Sequence, residues 1–317
     1  MKVVLFSILF AAVIAVGGVV YAINCPNNMN DSVSFVLKKG ESVRSMSNNL
    51  KEAGVINSSL LFRVVVRLLN VDKRLKAGEY VFAPNISMLE VANKLLRGDV
   101  FYRKITIPEG LSSAQIRNIL ENEPNLSGDI SVEIPEGSML PETYTFSRDD
   151  SRNSLVLRAQ KALDELVEQV WNQASNKVLK NKEELLILAS IVEKETGLPE
   201  ERPDVAAVFT NRLNKGMMLQ TDPTVIYAIT KGKTELGRAL LKKDLEYDDP
   251  YNTYRYYGLP PTPICNPGKE AIVAAANPSE NDYLYFVASG NGGHRFAKTL
   301  NEHNGNVELY RKAMQKK

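Results

Sequence analysis

The chain has 317 residues, 44% hydrophobic and 24% charged, which is enough for two or three globular units with cores of their own. Lys plus Arg at 39 nearly balances Asp plus Glu at 37, and this excludes the basic field of a nucleic-acid binder. Two cysteines and two histidines are too few for a disulfide framework or a His-rich metal site. No metal or cofactor is therefore expected, and Cys25 and Cys265 read as free thiols.

Residues 3–22 contain no charged side chain. About twenty apolar residues at 1.5 Å rise span a bilayer core. A cleaved signal peptide competes, because Val20-Tyr21-Ala22 resembles a cleavage site, but the apolar run is longer than a signal peptide needs and only Lys2 precedes it. The expectation is an uncleaved transmembrane anchor over 1–23, with its short amino-terminal end inside and the bulk of the chain exported.

A polar linker follows at 24–32. Val33 to Lys38 alternates as a strand, Lys39-Gly40-Glu41 turns, and Ser42 caps a helix that Gly54 ends. A second helix is expected from Ser58, a strand at Gly78–Phe82 and a helix from Ser87 to Leu96. This strand–turn–helix theme defines a small α/β module at 33–98, whose opening, Val36 to Val43, resembles a LysM carbohydrate-binding module. A plain structural spacer is the alternative. The theme recurs at 104–121 within a second small module and hinge at 99–150, the latter rich in Pro and Gly.

Residues 151–317 form the largest expected domain, of mixed α+β class. Its organising stretch is 183–197, a helix apolar almost all round, with Ser190 and Lys194 as its polar side and Gly197 and Pro199 as its stop. Such a helix belongs inside a domain, yet its last turn holds Glu193 and Glu195. At about 100° per residue, Glu195 falls between Leu188 and Ile191 and Glu193 between Leu186 and Ala189. Apolar neighbours and the negative end of the helix dipole disfavour both anions, which suits a general acid. The bland alternative is the solvated end of a core helix.

Downstream come Asn211-Arg212-Leu213, then Leu219-Gln220-Thr221-Asp222-Pro223-Thr224-Val225, Tyr251-Asn252-Thr253-Tyr254, Gly258-Leu259-Pro260-Pro261, Tyr283-Leu284-Tyr285-Phe286-Val287 and Gly292-Gly293-His294-Arg295-Phe296. With Ala189-Ser190-Ile191-Val192-Glu193-Lys194-Glu195-Thr196 before them, this ordered run closely resembles the YceG-like endolytic murein transglycosylases. The resemblance implies an N-terminal membrane anchor, a LysM-like region and a catalytic domain that cuts peptidoglycan glycan strands between MurNAc and GlcNAc, leaving 1,6-anhydro ends. It places the catalytic glutamate at Glu195 and lines the glycan cleft with Gln220, Thr221, Asp222, Tyr251, Asn252 and Tyr254. It also implies an inner-membrane location with the bulk in the periplasm, and cell-wall synthases as partners.

Residue by residue, alternatives stay open. Asp222 would equally cap a helix, Gln220 and Asn252 would fix loops, the tyrosines would pack, and His294 is more often structural. Hydrolysis of a glycoside normally needs two carboxylates across the bond. Glu193 and Glu195 lie about 200° apart on their helix and cannot form that pair. A lytic transglycosylase needs one acid, helped by the substrate's N-acetyl group. Two further functions compete: a hydrolytic muramidase drawing a second carboxylate from Glu142 or Asp222, and a non-catalytic wall-binding scaffold.

Overall fold

The structure, a computed structural model, describes residues 2–70 and 75–315, apart from the side chains at 2–5, 8, 9 and 12. It divides into two compact units, Met1–Lys104 with Thr145–Asp149, and Ile105–Tyr144 with Asp150–Lys317. Residues 105–144 belong to the second unit, so the boundaries expected at 98/99 and 150/151 do not coincide with this division.

In the first unit, helix α1 (Lys2–Asn24) is one continuous run of 23 residues. Among the described residues no helix is long and apolar enough to cross a membrane. The span expected at 3–22 is therefore unsupported there, because several of the apolar side chains that would carry it lie outside the described set.

Strands β1 (Val33–Leu37) and β2 (Gly78–Phe82) pair antiparallel, with Phe35 opposite Tyr80. Between them run α2 (Val43–Glu52) and α3 (Ser59–Leu68), and α4 (Met88–Arg97) follows. Ser42, Ser58 and Ser87 cap these three helices, each accepting from a backbone N–H of the first turn, and Glu90 reciprocates to complete a capping box on α4. The inward faces meet in a core of Phe35, Leu50, Phe62, Tyr80, Phe82 and Leu95. Glu79, a charged side chain almost fully buried in this unit, is matched by the Arg103 guanidinium and the Ser34 hydroxyl.

Strands β3 (Arg103–Thr106) and β4 (Thr143–Phe146) form a second two-stranded sheet. Strand β4 lies in the stretch expected as hinge. Flanking turn formers mask its four-residue alternation.

The second unit contains α5 (Ser113–Glu121), α6 (Arg152–Trp171), α7 (Lys182–Glu195), α8 (Arg202–Asn214), α9 (Asp222–Thr230) and α10 (Lys269–Ala276). A hairpin of β5 (Tyr285–Ala288) and β6 (His294–Ala297) and the closing α11 (Leu300–Gln315) complete it. Helix α7 is the axis, contacting α6, α8, α9 and α10. That explains its apolar circumference: Leu185, Leu188, Ile191 and Val192 are all fully buried, each contributing about 1.5–3 kcal/mol. The alanines of α10 (Ala271, Ala274, Ala275 and Ala276) let it lie close against this axis.

Candidate active site

Helix α7 begins at Asn181, whose side chain accepts from Glu184 N at 2.8 Å. It ends at Glu195, two residues before the expected glycine at 197, because Thr196 leaves the helix in extended backbone. The polar side of α7 has a structural use. Ser190 is fully buried, donating to Ile187 O at 2.7 Å and accepting from Ile264 N at 3.0 Å, which ties the 264–268 segment to the helix.

Glu193 and Glu195 diverge as their spacing requires. Glu193 turns toward the start of α10, accepting from Gly268 N at 3.0 Å with Arg202 at 3.9 Å. Its pKa is raised, chiefly by burial and also by Glu109, against the Gly268 N–H and Arg202. Arg202 also pairs with Glu270 and, at 3.6 Å, with Glu109, so Glu193 belongs to a network that fastens α10 to α7 and α8.

Glu195 opens instead onto a pocket of about 210 Å³ that Phe209, Arg212, Gln220, Asp222, Tyr254 and Phe286 help to line. Its carboxylate accepts from the hydroxyl of Thr221, the N-cap residue of α9. Thr221 makes no side-chain cap bond to its own helix, because that hydroxyl is already engaged. Burial is the main cause that raises the Glu195 pKa, and the negative charge of Asp222 adds to it. The Thr221 hydrogen bond and the charges of His294 and Arg212 act in the opposite sense. The acid is thus held protonated above the usual carboxylate range while its anion has three stabilising neighbours.

Each neighbour is positioned by a distinct element. Arg212, on α8, donates to Leu284 O at 2.7 Å and Leu219 O at 2.6 Å, with its guanidinium carbon 5.3 Å from the Tyr285 ring centre. Asp222, at the first position of α9, accepts from the Tyr254 hydroxyl at 2.7 Å. Burial, reinforced by Asp222, raises the Tyr254 pKa, so this phenol stays protonated. His294 opens β6, shares its Nδ1 with Glu201 at 2.6 Å and meets Phe286 edge-on at 5.3 Å. Burial works to raise the Glu201 pKa, but the His294 hydrogen bonds outweigh it and bring it below the ordinary value.

The two polar motifs downstream are sewn together by buried threonines. Thr221 N donates to Thr253 Oγ1 at 3.1 Å, Gln220 N to Thr253 O at 3.1 Å, and the Thr224 and Thr253 hydroxyls lie 2.8 Å apart. Gln220 is exposed on the pocket rim with φ of +46°, a left-handed conformation uncommon for a side chain of its size. Asn252 is fully buried, and its amide donates to Leu245 O and Tyr247 O at 2.9 and 2.7 Å, fixing the loop before it. Tyr251 lies outside the lining of the Glu195 pocket. Its hydroxyl pairs with Thr262 at 2.7 Å, and its ring faces Tyr227 and Lys231. Of the expected cleft residues, the structure brings Gln220, Thr221, Asp222 and Tyr254 to Glu195. It places Asn252 beneath them and Tyr251 apart.

Sequence reasoning missed Phe209, Arg212, Thr253 and Phe286. Arg212 carried a signal: it follows Phe209 by three residues, so a charge falls at apolar helical spacing on α8. Among the described residues no group of three or more His, Cys, Asp or Glu side chains could hold a metal ion. Glu142 is exposed, and Cys265 is buried with its thiol 3.4 Å from Ser190 O; both cysteines are free.

A buried acid at a helix end, opening onto a polar-rimmed pocket, is a setting suited to acid–base chemistry. The profile of the YceG-like family matches residues 35–309, and the chain belongs to that family. It is 34% identical over 312 residues to the endolytic murein transglycosylase of Bacillus subtilis (strain 168), covering 88% of this chain and 85% of that protein. The endolytic murein transglycosylase of Streptococcus pneumoniae serotype 2 (strain D39) is 28% identical over 327 residues; the match covers 88% of this chain and 58% of the pneumococcal one. A YceG-like protein of Listeria monocytogenes, known from a 2.6 Å crystal structure, superposes with a TM-score of 0.54 at 32% identity, over 87% of this chain and 99% of that one.

Proposed function

We propose that the chain is an endolytic murein transglycosylase with Glu195 as its acid–base group. The observation that carries this reading is the environment of Glu195: burial raises its pKa while Thr221, Arg212 and His294 favour its anion. The relatives named as murein transglycosylases support the substrate class. In the first step Glu195 protonates the oxygen bridging MurNAc and GlcNAc as that bond breaks, the substrate's N-acetyl oxygen assisting at the anomeric carbon. In the second, the Glu195 carboxylate takes the proton of the MurNAc C6 hydroxyl, whose oxygen bonds the anomeric carbon as the N-acetyl oxygen leaves it, closing a 1,6-anhydro ring. The proton taken regenerates the acid, and no water is consumed. Such acid–base help is worth about 10²–10⁴-fold in rate. Gln220 and Tyr254 at the rim are the proposed sugar contacts.

Hydrolysis by a muramidase is the second reading, favoured by one observation: Asp222 shares the Glu195 pocket and would serve as the second carboxylate. The full chain in detergent, incubated with glycan strands and read by mass spectrometry, separates the two. Internal fragments ending in 1,6-anhydro-MurNAc, absent with Glu195→Gln, are expected. Reducing ends carrying solvent oxygen would establish the hydrolase.

The proposal extends to the cellular setting. The uncharged run at 3–22 supports a membrane anchor, with the bulk of the chain in the periplasm at the inner membrane and cell-wall synthases as neighbours. The module at 33–98, with β1, α2, α3, β2 and α4, is the proposed LysM-like glycan holder.

A further inference from the structure

The second unit holds a concavity besides the one at Glu195. It is a groove of about 430 Å³, with Leu111, Lys194, Pro223, Ile226, Tyr227 and Thr234 among its walls. The two concavities share a ridge. Of the last two residues of α7, Glu195 lines the acid's pocket and Lys194 the groove; of the first two of α9, Asp222 lines the pocket and Pro223 the groove. A substrate that fills both concavities reaches across this ridge, with one part at Glu195 and another on the far side.

The chemistry of the groove is mixed. Leu111, Pro223 and Ile226 offer apolar wall. Tyr227 is held firm by its hydroxyl, which donates to Glu136 Oε2 at 3.1 Å, and Glu136 is itself anchored by Ser113 N at 2.8 Å. Lys194 is exposed, and its ammonium gives one hydrogen bond to Gly110 O at 3.2 Å, leaving two donors. Arg238 is already matched by Asp244, at 2.5 and 3.0 Å, and Glu235 is the groove's exposed carboxylate.

Murein is a branched polymer: each MurNAc bears a short peptide through its lactyl ether, with small apolar side chains and free carboxylates. Resting on the murein reading above, we infer that the groove holds the peptide arm of a MurNAc next to the bond being cut, with Lys194 pairing with a carboxylate of that arm. The ridge then sets specificity. A strand seated at Glu195 presents its arm to Lys194, and a strand stripped of peptides loses that second point of attachment.

The test uses the full chain in detergent and two substrates of equal strand length, one carrying its peptides and one stripped by an amidase. Initial rates are compared for the wild type, Lys194→Gln and Thr234→Trp; the last narrows the groove from an exposed loop position. The expected result is that the wild type cuts peptide-bearing strands about tenfold faster, one charge-assisted contact being worth about that factor. Both variants should bring the ratio close to one with the rate on stripped strands unchanged. Equal wild-type rates on the two substrates, or variants that slow both substrates alike, overturn the assignment of the groove while leaving the murein reading intact. No cleavage of either strand by the wild type overturns both.

Discussion

The hydroxyl of Thr221 donates to the carboxylate of Glu195, where the N-cap of α9 meets the last residue of α7. An N-cap threonine ordinarily satisfies its own helix. Here it reaches a neighbouring helix, so the positive end of the α9 dipole and a hydrogen-bond donor converge on one carboxylate. Burial opposes both, and the balance decides when the acid is charged.

The pH profile follows from that balance. A general acid works while protonated, so kcat/KM should fall as pH rises through the Glu195 pKa, and burial places that limb above the ordinary carboxylate range. Asp222→Asn removes a negative charge that raises this pKa, and the limb should move to lower pH. Thr221→Val removes a bond that favours the anion, and the limb should move to higher pH. Shifts in the same direction from the two variants would contradict the arrangement.

Glu195→Gln should abolish turnover by about 10²–10⁴-fold and at neutral pH stabilise the fold. A carboxyl whose pKa is raised on folding contributes stability that is fully present below its unfolded pKa and lost as pH rises through the folded one. The glutamine keeps an oxygen for the Thr221 hydroxyl and carries no charge. Thermal unfolding should therefore show a higher Tm for the variant near pH 7, the gap closing below about pH 4.

Arg212 is the cation sealed beneath the pocket. Arg212→Met leaves Leu219 O and Leu284 O without their donor, a loss of about 2–5 kcal/mol in chemical denaturation. Arg212→Lys keeps the charge but cannot span both carbonyls. It should lose stability while leaving the alkaline limb of the pH profile nearly in place.

Gln220 and Asn252 should separate cleanly. Asn252→Ala strips donors from two buried-loop carbonyls, costing about 1–3 kcal/mol and speeding amide exchange across 241–254. Gln220→Gly relieves a left-handed backbone and should leave stability unchanged or raise it by up to about 1 kcal/mol. Its effect should fall on KM for glycan strands.

Much of the local structure was legible. The serine cap at 42, the helix starts at Ser58 and Ser87 and the apolar period of α7 are nearest-neighbour signals, read from residues three or four apart. Strand β4 and helix α10 were not. The first is four residues long among turn formers, and the second is a run of alanines whose inward face is defined only by the α7 surface it meets. The site divides in the same way. That Glu193 and Glu195 face opposite sides follows from helical spacing, and only the fold shows that one side is a salt-bridge network and the other an open pocket.

By itself the sequence determined that Glu195 ends an apolar helix, and it set the order of motifs that carry the family resemblance, because each is written in contiguous residues. Only the tertiary structure decided that Thr221 serves Glu195 instead of its own helix, that Arg212 lies under the pocket, and that Asn252 holds a loop. These depend on which backbone carbonyls and side-chain oxygens, from 5 positions away (Asn252 to Tyr247) through 26 (Thr221 to Glu195) to 72 (Arg212 to Leu284), come within hydrogen-bond reach. Hydrogen bonding acts over about 3 Å in space, and separation along the chain does not reveal it.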